Sequence, residues 1–432
     1  MTLREQINHE IRERGPIPFS RYMELCLYHP ELGYYSRNLE QFGKAGDFYT
    51  SSDVHAVFGR LLARQFDEMW RVLESPPGIE ILELGPGRGL FAQDVLDWSE
   101  KKFSEFFRAL HYSLAESSPA LRRRLQATLS GHIESGKASL APEAGVANVL
   151  ANPQRLKPRS TAEPYGTVEA VLSHGRPGAL AGSGGVGDGT TSAVPNSVFL
   201  EKPLAPESPV IVFANEFFDA LPVEVLSPQG ELRIAEKDGQ WLESWETPSP
   251  EVLEFVDRYS VHPEAGERVE VPLLAQHYIS QIAATMKCGF IIAIDYGYIR
   301  QGQLAWRHRG TVTAYRQHSV SANPYEAPGE QDITAHVNFT ALAAGLEQGG
   351  MLVQPLLTQS QFLLGIGECN EFADAFEECR LPQERAKVAL QLKHLVTPAG
   401  MGESFHVLIA SKAIDAEKVA SLSGLTFGKT AP

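Results

Sequence analysis

Ile79-Glu80-Ile81-Leu82-Glu83-Leu84-Gly85-Pro86-Gly87-Arg88-Gly89 is the stretch that decides the fold. A short apolar run feeds a turn with three glycines, and Phe91, Val95 and Trp98 then recur at helical spacing. Strand, glycine turn and helix in that order give a glycine motif its meaning. Gly85 and Gly87 can take backbone angles closed to other residues and let a ligand approach the main chain, while Gly89 permits close packing at the helix start. A dinucleotide-binding turn usually places its third glycine three residues after the second. Here that position is Leu90, and the third glycine comes two residues on. The pattern Glu83-x-Gly85-x-Gly87-x-Gly89 points instead to S-adenosylmethionine. Beside that cofactor, Glu83 sits at the base of the site and accepts hydrogen bonds from the amino group, directly or through water.

A second anchor is expected at the end of the next strand, where an acid can hold ribose hydroxyls. Glu116 ends the apolar run His111–Ala115, 27 residues beyond Gly89. It either binds ribose or caps the helix that starts near Pro119. Further strands are expected at Val210–Ala214, Phe290–Ile294 and Phe405–Ala410, separated by helical stretches, so the fold class is α/β with a parallel sheet. The first 75 residues read as a helical and loop region, with helices around Ile7 and Ile11, from Tyr22 to Leu27, and from Val54 to Val72. Residues 76–415 form the main domain, and the tail 416–432 reads as loose. Between residues 136 and 208 the periodicity disappears. Thirteen of the 25 residues from Ser173 to Ser197 are Gly, Ser or Pro, too little apolar surface to offset ordering entropy, so this reads as a flexible insertion.

Composition narrows the class. The 432 residues carry 53 acidic against 38 basic side chains, a net charge of −15, which argues against an extended nucleic-acid surface. Cys26, Cys288, Cys369 and Cys379 show no C-x-x-C pair and read as reduced, mostly buried thiols. Neither Cys nor His spacing suggests a metal. No apolar run approaches the roughly 18 residues of a membrane span. The N-terminal residues lack the apolar core of a signal peptide and the acid-poor character of a transit peptide, so a cytoplasmic location is expected.

Several segments together resemble the MidA-type methyltransferases, bacterial and mitochondrial relatives of a complex I assembly factor. They are Gly15–Phe19, Tyr28–Tyr35, Gly46–Ser51, Glu83–Gly89, Asn215–Val223, Ile294–Gly297 and Gly329–Val337. The resemblance spans nearly the whole chain in order. It implies a seven-stranded, Rossmann-like class I methyltransferase sheet with an added N-terminal helical region. It implies methylation of a protein arginine, with a respiratory complex I subunit as partner. The long 136–208 stretch departs from the family pattern.

Asn215-Glu216-Phe217-Phe218-Asp219 follows a strand, and ligands of open α/β sheets gather at the carboxyl ends of strands. An arginine acceptor is a cation with a pKa above about 12. Carboxylates fix its planar fork by paired charge-assisted hydrogen bonds and polarise it. Glu216 and Asp219 are the candidates, with a salt bridge and a turn cap as their structural alternatives. Phe217 and Phe218 either wall the acceptor or belong to the core. Asn215 either contacts the cofactor or positions an acceptor. Asp47 and Thr50 either close over the cofactor or make turn bonds to their own backbone. The polar stretch Tyr315–His336 is a candidate wall of the acceptor groove, with His336 either a base or a structural residue. Methylation of a small molecule or another side chain, and a non-catalytic assembly role on the same fold, stay open.

Overall fold

The computed structural model describes residues 1–37, 56–141, 208–305, 307–316, 319–321 and 323–428. Seven strands form the path of a central sheet, here numbered β1 (Ile79–Leu84), β2 (Leu110–Ala115), β3 (Ala138–Leu140), β4 (Val210–Asn215), β5 (Gly289–Tyr298), β6 (Leu352–Val353) and β7 (Phe405–Lys412). Their order is β3-β2-β1-β4-β5-β7-β6, and Val337–Asn338 and Leu357–Thr358 pair with β5 and β7 off that path. β3, β2, β1, β4 and β5 run parallel, whereas β7 runs antiparallel to β5.

Strict alternation explains why these segments are strands buried on both faces. On β4, Ile211 and Phe213 enter one core layer and Val210, Val212 and Ala214 the other. On β5, Phe290, Ile292 and Ile294 share the first layer, and Ile291 and Ala293 the second. Phe91 of the helix Leu90–Lys102 stacks on Phe213 with ring centroids 4.5 Å apart. Phe66, from helix Ala56–Val72, meets Phe213 edge-on at 5.7 Å. The latter helix therefore completes the core of the central sheet, although its sequence position groups it with the N-terminal region.

A second unit packs beside this sheet. Helices Leu3–Arg14 and Phe19–Tyr28 bury Ile7, Tyr22 and Leu27 against Leu232 and Ile234 of an antiparallel sheet. That sheet holds Ile17–Pro18, Glu224–Ser227, Gly230–Lys237, Gln240–Glu246 and Val269–Val271. A three-stranded sheet, Thr313–Arg316 with Ser319–Ser321 and Asp332–Thr334, shares the same core through Ala314 and Ile333. So the added region is mixed α and β, where the sequence suggested helices and loop.

Three further expectations change. The interval expected to be an insertion begins with β3, which pairs with β2 through Tyr112 and Ala138; residues 142–207 lie outside the described residues. The tail expected to be loose contains helix Ala416–Ala420, and Val419, Leu422 and Leu425 are buried in the main core. Of the four free cysteines, Cys26 is buried, Cys288 and Cys379 are partly exposed and Cys369 is exposed.

Candidate active site

Parallel register fixes the site. Leu84 pairs with both Ala115 and Ala214, and Ile294 pairs with Asn215. The residues that follow, Gly85, Glu116, Glu216 and Asp295, therefore emerge along one sheet edge.

The glycine turn is shaped by contacts on both sides. Gly85, Gly87 and Gly89 all have positive φ, at 63°, 54° and 79°. A Cβ on Gly85 would stand 2.9 Å from Phe217 Cδ2, and one on Gly89 would stand 2.6 Å from Leu125 Cδ2. Phe217 is thus a physical link between this turn and the loop after β4. Phe218 is buried in the core layer beneath, so it does not wall an acceptor. Glu83 is buried and accepts a hydrogen bond from the Tyr112 hydroxyl at 2.9 Å. Burial pushes its carboxyl up to about 8 against the pull of Tyr112, and the Glu116 charge adds to the rise.

Glu116 is also buried. Its Oε1 accepts the Ser118 N–H at 2.8 Å, and the Ser117 and Gly87 N–H groups also hold the carboxylate. Burial raises it to about 7 despite these donors. Helix Pro119–Thr128 is capped by the Ser118 side chain, which accepts the Leu121 N–H at 3.2 Å. The capping role considered for Glu116 is therefore taken by its neighbour. Two buried acids around a glycine cradle fit a ligand that carries an ammonium group and vicinal hydroxyls.

The second loop is organised by an acid to which the sequence reading assigned no role. Asp295 has no exposed surface, and its Oδ2 accepts the N–H groups of Phe217, Phe218 and Asp219 at 3.2, 3.0 and 3.3 Å. Its Oδ1 accepts the Tyr296 N–H at 3.0 Å. Burial, then the nearby Asp219 and Glu216 charges, raise its carboxyl above the ordinary range, and these N–H groups pull it back. The grip holds Glu216 at φ 50°, an uncommon conformation for a residue with a side chain. Asn215 Nδ2 donates to Glu216 Oε1 at 3.2 Å, and Asn215 Oδ1 is buried without a partner. The Tyr296 hydroxyl donates to Asp219 Oδ2 at 2.6 Å, whereas Asp219 Oδ1 is buried without a partner. Burial pushes Asp219 up to about 6.

Glu216 and Asp219 face a cavity of about 440 Å³ that Tyr296, Tyr315, Asp332 and Phe405 also line. Thr334 and His336 complete the expected contribution of the 315–336 stretch. His336 is pushed down to about 4 by burial and stands edge-on to Tyr296 at 5.1 Å, so it is neutral and a weak base. The N-terminal unit reaches both loops: Tyr28 donates to the Ala220 carbonyl at 2.9 Å, Tyr35 to Asp332 Oδ1 at 2.8 Å, and Ser118 to the Tyr35 carbonyl at 2.6 Å. Asp47 and Thr50 lie outside the described residues. Among the described residues no group of three or more His, Cys, Asp or Glu is arranged to hold a metal ion.

Comparisons with known proteins bear on the family, the cofactor and the fold. The model of a family described as "Putative S-adenosyl-L-methionine-dependent methyltransferase" matches residues 61–355. The chain is similar to "Protein arginine methyltransferase NDUFAF7 homolog, mitochondrial" of Drosophila melanogaster, 27% identical over 432 residues, spanning 94% of this chain and 84% of the relative. It is similar to "Protein arginine methyltransferase NDUFAF7, mitochondrial" of Homo sapiens, 26% identical over 420 residues, spanning 92% of this chain and 80% of the relative. Its fold is similar to that of a protein from Burkholderia thailandensis solved with S-adenosyl-homocysteine, with a TM-score of 0.72 and 23% identity, covering 99% of this chain and 94% of that one. The fold is thus the α/β methyltransferase fold. The same relatives correct the cytoplasmic expectation, because they are named as mitochondrial proteins. That expectation rested on the composition of residues that form helix Leu3–Arg14, which reports on packing and not on cellular address.

Proposed function

The chain belongs to the MidA-like family of S-adenosyl-L-methionine-dependent methyltransferases, and from that premise we propose that it methylates an arginine side chain of a protein, with a respiratory complex I subunit as the acceptor protein. The observation that carries the acceptor class is the buried, unpartnered Asp219 Oδ1 in a cavity shared with Glu216 and Asp332. Such a cavity suits a planar cation with several N–H donors, which can satisfy the buried Asp219 oxygen where a neutral acceptor without N–H donors cannot. The names of the curated relatives, protein arginine methyltransferases, support an arginine of a protein as the acceptor class.

In this reading the strand path β3-β2-β1-β4-β5-β7-β6 is the seven-stranded Rossmann-like class I arrangement. Residues 76–415 are the catalytic domain, with helix Ala56–Val72 closing its core. Gly85, Gly87 and Gly89 cradle the methionyl and ribose parts of the cofactor, Glu83 takes the amino group, Glu116 takes the ribose hydroxyls, and Asn215 offers Oδ1 to a donor at the cofactor edge. The cofactor supplies a methyl group on a sulfonium, an electrophile that needs a nitrogen lone pair in line with the breaking bond. Glu216 and Asp219 bind the guanidinium fork and set that line. Tyr296 fixes Asp219 through Oδ2, which leaves Oδ1 to receive the proton that the guanidinium gives up as the nitrogen is methylated.

Two expected results follow for the cofactor half. Gly85→Ala forces a positive-φ Ala against the Phe217 ring, so S-adenosyl-homocysteine affinity falls about 10- to 100-fold by calorimetry. Unchanged affinity would remove the cradle. The second result concerns protons. Glu83 sits near 8 against its ordinary 4.5. A raised carboxyl stabilises the fold below its unfolded pKa, and that stability is lost as pH rises through the folded value. An ammonium group against Glu83 favours the ionised form, so cofactor binding releases a proton, and affinity climbs up to about tenfold per unit between about pH 6 and 8. Calorimetry in two buffers of different ionisation enthalpy checks the sign; proton uptake on binding contradicts it.

Incubating the protein and a Glu216→Gln variant with methyl-labelled cofactor and cell extract, then locating the label by mass spectrometry, tests the acceptor class. Methylarginine in protein, dependent on Glu216, is the expected outcome. Label confined to metabolites or to other side chains overturns it.

A further inference from the structure

The acceptor cavity is not acidic throughout. Arg307 lines it together with Glu216, Asp219 and Asp332, and is the one permanent cation among its described lining residues. Its Nη1 donates to the carbonyls of Gly302 and Ala305 at 3.1 and 3.3 Å, and its guanidinium lies over the Tyr298 ring at 5.7 Å. Among the described residues it forms no ion pair, although carboxylates share the same cavity. The same cavity is lined by two buried-ring histidines, His336 and His406, and by Glu403. Burial and then the Arg307 charge hold His336 below the ordinary histidine range; burial also lowers His406, with the Glu403 charge opposing and the Arg307 charge adding to the fall, and each ring has a buried Nδ1 without a partner. The cavity therefore offers two unlike groups: a carboxylate oxygen without a donor, at Asp219, and a guanidinium without an ion-pair partner among the described residues, at Arg307.

We infer that Arg307 reads a carboxylate carried by the acceptor next to the arginine that is methylated. The inference rests on the arginine reading of the same site and adds a specificity to it. A guanidinium is a directional donor that matches a carboxylate in bidentate fashion. With Nη1 already held by two carbonyls, the rest of the fork is presented in a fixed orientation. A carboxylate on the acceptor would come from an adjacent Asp or Glu side chain or from a chain end.

Calorimetry on the full chain, saturated with S-adenosyl-homocysteine, separates these sources with three probes. They are N-acetylarginine amide, N-acetylarginine with its free carboxylate, and the amidated N-acetyl dipeptide of arginine and aspartate. The expected result is that a carboxylate-bearing probe binds about tenfold tighter than the amide, in line with a charge-assisted bidentate contact. The preferred probe identifies the source. The advantage disappears in Arg307→Gln and survives, reduced, in Arg307→Lys. Equal binding of all three probes to the wild type overturns the inference and leaves the arginine reading intact. So does an advantage that persists in Arg307→Gln. If none of the probes binds at up to about 10 mM, the guanidinium reading of the cavity fails, and this inference with it. The wild-type comparison needs no variant to fold.

Discussion

Glu216→Gln lowers kcat by about 10²–10³-fold while S-adenosyl-homocysteine affinity stays within about twofold. The substitution keeps the shape of the side chain and removes one charge from the wall of the acceptor cavity. The lost charge matters most when the guanidinium is polarised and gives up its proton, so the effect falls on turnover and not on cofactor binding. In this reading most of the cofactor cradle is carried by β1 and β2, on Glu83, the three glycines and Glu116; Asn215 alone among the proposed contacts bonds to Glu216, through Oε1, an acceptor that Gln retains. Steady-state kinetics on a methylated protein acceptor, paired with calorimetry, separates the two quantities. A kcat within about threefold of wild type would return Glu216 to a purely structural role.

Asp295→Ala is expected to cost about 3–5 kcal/mol of stability, because it leaves buried N–H donors of Phe217, Phe218 and Asp219 unpaired. In a chain of this length that corresponds to a fall in Tm of roughly 4–6 °C. Activity falls further than stability does. The carboxylate holds the loop on which Glu216 takes a positive φ, and without it that loop relaxes toward ordinary backbone angles and carries both acceptor carboxylates away. Asp295→Asn keeps one oxygen acceptor and replaces the other with a donor, so it lies between wild type and Ala in both measurements. Thermal unfolding that matches wild type in the Ala variant would contradict the assignment of Asp295 as the residue that positions the loop.

What the sequence disclosed follows from how local each signal is. The run Ile79–Gly89 contains its strand, its turn and its helix start within a few residues, and its spacing alone separated one nucleotide-type fold from another. The position of Glu116 at the same sheet edge is legible because it directly follows the next strand in the same parallel register. Asp295 follows the apolar part of β5, but its meaning depends on backbone donors 76 to 78 residues earlier, and a single acid after an apolar run carries no sign of them. Gln240–Glu246 is half charged or polar and mostly exposed, so a strand there is visible only through its pairing with Gly230–Lys237. Phe217 and Phe218 are adjacent and chemically alike, yet one lies against Gly85 and the other enters the core, a choice set by the Asp295 grip. Arg307 has no motif around it, and its interest comes from the cavity that non-local folding assembles.

Methyl transfer as proposed requires the cofactor cradle and the acceptor cavity to meet at Phe217 and Glu216. A crystal structure with S-adenosyl-homocysteine measures this directly. The expected result has the homocysteine part along Gly85–Gly89, the ribose hydroxyls within hydrogen-bond reach of Glu116, and the sulfur facing the cavity lined by Glu216 and Asp219. A sulfur that faces away from that cavity, or a cofactor bound elsewhere on the sheet edge, would contradict it.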